Sequence, residues 1–167
     1  FVWHIQEYAG RILVTTLTET LTYSFLSIVV YISGFVLTLK YDNFFTVREA
    51  AVFFKKRILR IYPLYVSALI LFFFSSLITY SQLLSGISLS NSLLNTDLKT
   101  LWFVTMIIIY YVMFAVLLHA YSVKRTLLIS SAFFLCCILL HAVFELIDIR
   151  LIYYFTPFIM GMISAKQ

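Results

Sequence analysis

Lys55, Lys56, Arg57 and Arg60 set four cations within six residues, on the run Phe53-Phe54-Lys55-Lys56-Arg57-Ile58-Leu59-Arg60-Ile61-Tyr62-Pro63-Leu64-Tyr65, where a basic stretch passes straight into an apolar one. On a helix entering a bilayer, Arg57 and Arg60 stand at i and i+3 and share a face. Arginine stays charged and presents planar, bidentate donors to phosphate oxygens, while Lys55 and Lys56 add point charges beside it. The grouping predicts a site for a polyanion at the membrane surface. The ordinary alternative is that cations flanking a span snorkel to lipid headgroups and fix orientation. The chain's formal charge of +5 does not argue for nucleic acid, because its cations sit in short segments between apolar windows rather than on a soluble basic face.

Histidine is the second residue type with chemistry to offer. His4 stands at the edge of an apolar stretch with Glu7 one helical turn later, a spacing at which a carboxylate can orient the ring and raise its basicity. An imidazole so placed can take the proton of an attacking hydroxyl; the alternative is an interfacial histidine with a local hydrogen bond. His119 and His141 lie near the ends of apolar windows, where structural or interfacial roles are expected, and only His141 has a carboxylate, Glu145, close in sequence. Cys136 and Cys137 are adjacent inside an apolar window, cannot pair with each other in a helix and are not spaced as metal ligands, so no metal is expected. Ser33-Gly34 lacks a G-x-S-x-G elbow and is expected to serve close helix packing.

What must position these residues is a membrane bundle. With mean hydropathy of +1.02, 63% apolar residues and only 11% charged, the chain lies outside the soluble range. Charge-free windows cover 20–39, 61–96, 100–123, 126–144 and 151–165. About 20 helical residues cross a core of about 30 Å, so the first four windows can span and the fifth is marginal. The fold class predicted is all-α, a polytopic bundle with about five to six spans, near 20–39, 61–80, 101–123, 126–144 and 151–165, with the tail of an earlier helix at 1–5. Opening on Phe1 and closing on Lys166-Gln167, the chain reads as part of a longer domain.

The cations order the loops. Residues 40–60 carry Lys40, Arg48, Lys55, Lys56, Arg57 and Arg60 against Asp42 and Glu49, so that segment is expected to be cytoplasmic, as a short cationic loop feeding the helix from Ile61. Counting helices onward places Lys124, Arg125 and Lys166 on the same side and Asp97, Lys99, Glu145, Asp148 and Arg150 on the other, with residues 1–19. One side then holds nine basic and two acidic residues, the other three and five. Pro63 is expected near a helix start, where its missing N–H costs little. Residues 81–96, dense in Ser, Thr and Asn, are expected to form a loop or re-entrant piece. Pro157 with Gly161 predicts a kink or a close helix contact. No Asp, Glu, Lys or Arg falls inside the expected spans, which argues against ion-coupled transport.

Together these features resemble the membrane acyltransferase 3 family. The resemblance rests on Tyr31-Ile32-Ser33-Gly34-Phe35, on Phe54-Lys55-Lys56-Arg57-Ile58-Leu59-Arg60-Ile61-Tyr62-Pro63-Leu64-Tyr65, on Leu101-Trp102-Phe103, and on Tyr154-Phe155-Thr156-Pro157-Phe158 with Gly161. It implies an acyltransferase domain over 1–167 that moves an acyl group, commonly acetyl, from cytoplasmic acyl-CoA to a hydroxyl of a glycan or lipid-linked sugar at the plasma (inner) membrane. Arg57 and Arg60 match the family's R-x-x-R, taken to hold the donor, with Lys56 beside them. Val2-Trp3-His4 looks like the end of its first-helix motif, making His4 the catalytic base. The alternatives are an exporter-like membrane protein of envelope polysaccharide, or a truncated, inactive piece.

Overall fold

The computed structural model describes residues 16–41, 46–94, 98, 101–119 and 121–167. Among them run six helices: α1 Thr16–Lys40, α2 Val47–Phe74, α3 Tyr80–Ile87, α4 Trp102–Leu118, α5 Val123–Phe144 and α6 Ile149–Ser164. No strand occurs among the described residues. From Thr20 on, α1 is long and apolar enough to cross a bilayer, as are α2 and α5, while α4 and α6 are shorter apolar helices. Large side chains such as Phe25 (66% exposed), Leu64 (76%) and Leu128 (71%) stand on the outer faces. Apolar surface on that scale belongs against lipid. Several hydroxyls inside the helices satisfy themselves locally: Ser24 donates to the Thr20 carbonyl, Ser33 to Val29, Thr38 to Gly34 and Ser67 to Pro63.

α4 is apolar all round, and it is the helix the others enclose: Met106, Tyr110, Phe114, Leu117 and Leu118 are buried. α1 and α6 pack side by side in parallel, Tyr23 stacking on Tyr154 toward their starts. Toward their other ends Gly34 faces the Phe158 carbonyl and Gly161 the Tyr31 carbonyl. The missing side chains let the two backbones meet, the close contact expected around Gly161. Tyr110 of α4 donates to the Leu151 carbonyl of α6 at 2.8 Å and packs on Phe158.

α2 differs from the sequence expectation. The basic run is not a loop feeding a helix at Ile61; it lies inside a 28-residue helix that starts at Val47. The cause is local. Thr46 accepts the Glu49 N–H and Glu49 accepts the Thr46 N–H, a capping box that fixes the start fourteen residues before the apolar window. Pro63 is therefore in the helix interior rather than near its start, and leaves the Leu59 carbonyl without its usual donor. Arg57 and Arg60 are accordingly charges within a candidate span, contrary to the expectation that the spans hold none.

The stretch expected as a loop or re-entrant piece contains α3, capped by a second box between Thr79 and Gln82. α3 folds back along α2, and two phenols of α2 hold its end: Tyr62 donates to the Ile87 carbonyl at 2.9 Å and Tyr65 to the Gly86 carbonyl at 3.1 Å. These are last-turn carbonyls that a helix cannot satisfy itself. Replacing both tyrosines by phenylalanine removes two hydrogen bonds of about 1 kcal/mol each. Faster hydrogen exchange confined to α3 is the expected outcome; unchanged protection would show that packing alone holds it.

Candidate functional site: a recessed arginine pair

α2 runs antiparallel to α4. Phe53 packs on Phe114 (5.6 Å between ring centres) and on Tyr111 (5.6 Å), while Tyr65 lies beside Thr105 near the other end of α4. The residues of α2 facing the bundle follow a four-residue spacing: Phe53, Arg57, Ile61, Tyr65 and Leu69, with Phe53, Tyr65 and Leu69 buried and Arg57 and Ile61 half-buried. Arg57 is the one charge on that stripe. Its guanidinium carbon lies 5.7 Å from the centre of the Phe53 ring and 5.5 Å from that of Tyr111. Faces of aromatic rings attract a cation without neutralising it.

The depth of Arg57 follows from α4. Tyr111 is seven residues from Leu118 and nine from Trp102, so Arg57 is level with the middle of α4, roughly 10 Å from its nearer end. Tyr41, at the end of α1, packs edge-on against Phe53 (5.4 Å) and against Phe114 (6.1 Å), completing an aromatic floor. Further cations gather at this end of the bundle: Lys40 lies over Tyr41, and Lys166 lies over Tyr121, next to Lys124 and Arg125 at the start of α5. The arginines stand inward of that basic rim.

Arg60, one turn further along, is exposed, as are Lys55 and Lys56. Tyr111 lies within electrostatic reach of both Arg57 and Arg60. Among the described residues no carboxylate comes within ion-pair distance of either arginine. The contrast with Arg150 is direct: its guanidinium contacts Asp148 at 2.8–3.0 Å, lies 4.6 Å from the Trp102 ring centre, and so is neutralised where it stands. A partly buried charge without a counterion favours binding an anion.

The structure thus brings Arg57 and Arg60 together on one stretch of α2 with Lys56 at the edge, while His4 and Glu7 lie outside the described residues. Residue-type reasoning passed over Phe53, Tyr111 and Tyr41, which form the floor; the i, i+4 series through Arg57 marks the face of α2 turned to the bundle, but not the rings of Tyr111 and Tyr41 that meet it there. Cys136 is exposed and Cys137 buried, both without a disulfide. Among the described residues no group of three His, Cys, Asp or Glu side chains could hold a metal.

Long apolar helices, outer faces suited to lipid and a charged pair sunk beside a central helix define an integral membrane protein. All of the chain, residues 1–167, matches the family described as an acyltransferase domain, and the chain belongs to the membrane acyltransferase 3 family. No curated protein and no solved structure matches it.

Proposed function

We propose that this domain is an O-acyltransferase that binds acyl-CoA, with acetyl-CoA the donor expected, through Arg57 and Arg60, and passes the acyl group to a hydroxyl of a glycan or lipid-linked sugar. The observation that carries the donor assignment is the pair of guanidinium groups on α2 with no carboxylate partner among the described residues, Arg57 lying over the Phe53 and Tyr111 rings. Phosphate oxygens would meet Arg57 and Arg60 through charge-assisted hydrogen bonds, and Lys56 would add a further positive charge at the mouth. This orientation makes the basic end cytoplasmic, at the plasma membrane, where the donor is found.

In the transfer itself the acceptor oxygen attacks the thioester carbonyl carbon while His4 takes its proton. The carbon–sulfur bond then breaks, and the CoA thiolate leaves and is protonated. The role of His4 rests on the family resemblance, that of the arginines on their geometry as well.

The test is thiol release from acetyl-CoA by the intact protein in lipid nanodiscs, with and without a glycan or lipid-linked sugar bearing free hydroxyls. Acceptor-dependent release of CoA, with the acetyl group recovered as an ester, is the expected result. Tight acetyl-CoA binding with no ester product from any hydroxylated acceptor would refute the transferase reading while leaving the donor site standing.

A further inference from the structure

A second feature runs along the seam between α5 and α6, with His141 at the end away from the basic rim. A cavity of about 350 Å³ bordered by Phe134, Ile138, His141 and Thr156 adjoins a groove of about 620 Å³ that shares Phe134, Ile138 and Thr156. Together they follow α6 from Ile149 to Ile163, a length of roughly 21 Å at the helical rise. The lining is almost wholly apolar, and next to it α5 exposes Leu128, Leu135, Leu139 and Val143, so the seam opens toward lipid.

His141 is what makes the seam more than a packing fault. Its Nδ1 lies 2.6 Å from the Ile147 carbonyl oxygen. A carbonyl can only accept, so Nδ1 carries the proton, and in the neutral ring Nε2 is left as an acceptor. Among the described residues Nε2 has no partner. Partway down the groove the Ser130 hydroxyl is buried and likewise unpartnered. In the middle of a spanning helix an unmet hydroxyl such as that of Ser130 is costly, whereas His141, half-buried in the last turn of α5, holds Nε2 as an open acceptor at the mouth of the seam.

We infer that this seam is a binding site for a long-chain lipid alcohol taken from the bilayer, its hydrocarbon tail along Phe134, Ile138 and Thr156 and its hydroxyl donating to Nε2 of His141. The length and apolar lining select a single chain rather than a compact metabolite. The fixed tautomer selects a head that donates a hydrogen bond over one that only accepts. The site is separate from the arginine pair and stands whether or not that pair holds acyl-CoA.

The probe is a long-chain alcohol bearing a photoreactive diazirine near the middle of its chain, used with the intact protein in nanodiscs. Saturable labelling of peptides containing Phe134, Ile138 or Thr156 is expected, displaced by hexadecanol about five-fold better than by its methyl ether, which lacks the donor. His141→Phe should erase the preference for alcohol over ether while ether binding persists, and Ile138→Trp should block both. Should the variants fail to fold, the wild-type comparison decides by itself. Equal displacement by alcohol and ether, or labelling that never saturates, overturns the assignment.

Discussion

Replacing Arg57 and Arg60 together by alanine is expected to weaken acyl-CoA binding by roughly two to four orders of magnitude, since each charge-assisted hydrogen bond contributes about 1.5–3 kcal/mol. The two residues should not contribute equally. Arg57 is half-buried and held between Phe53 and Tyr111, whereas Arg60 is exposed; the recessed guanidinium is already oriented and less screened, so Arg57→Ala should account for the larger part. Arg57→Lys keeps the charge yet loses the planar group that lies against the rings, and should restore only a fraction of the affinity. His4→Ala makes the opposite separation: donor binding stays, and turnover falls by about 10²–10⁴-fold if His4 is the general base. Calorimetric titration with acetyl-CoA, beside acceptor-dependent thiol release, distinguishes the two effects. Wild-type affinity in the double arginine variant would remove the donor site from α2.

The all-helical class was readable because lipid imposes a simple constraint: apolar windows near 20 residues, interrupted by charge. Gly34 and Gly161 were also readable, since small residues in apolar helices mark where backbones approach. The start of α2 was not. A hydropathy window treats Arg48 through Arg60 as a loop because it sums charge and ignores periodicity. The local signal was nonetheless present in Thr46 and Glu49, three apart, the sequence form of a capping box. Missing that start also misplaced Pro63 and left the basic run, Arg57 and Arg60 included, outside the helix that carries it. The aromatic floor under Arg57 was illegible for a different reason. Phe53 and Tyr111 come from two helices and Tyr41 from the residue that follows a third, and their meeting depends on tertiary packing that residue spacing along one helix does not encode.

Gly161→Leu is expected to be the most damaging single substitution in the bundle, lowering stability by about 3 kcal/mol, toward the upper end of what overpacking costs. The argument lies in which atoms would have to move. Even a methyl group at Gly161 would run into the Tyr31 carbonyl and the Phe35 amide, and one at Gly34 into the Phe158 carbonyl, all of them backbone of the facing helix. Backbone in a paired helix yields only if α1 and α6 separate along their contact. Gly86 is the control. A methyl there meets the side-chain ends of Leu69 and Leu98 at 2.8–3.1 Å, which can turn aside, and alanine recovers up to about 1 kcal/mol of helix propensity; Gly86→Ala should therefore be close to neutral. Separation of α1 from α6 also reaches the arginine site, because Tyr41 at the end of α1 packs against Phe53 and Phe114 beneath Arg57. Gly161→Leu should accordingly weaken acetyl-CoA binding several-fold without touching a binding residue. Equilibrium unfolding in detergent, compared across Gly161→Ala, Gly161→Leu and Gly86→Ala, gives the ranking. Equal stability for all three would mean that α1 and α6 are not held by this crossing, and the floor of the arginine site would then need another support.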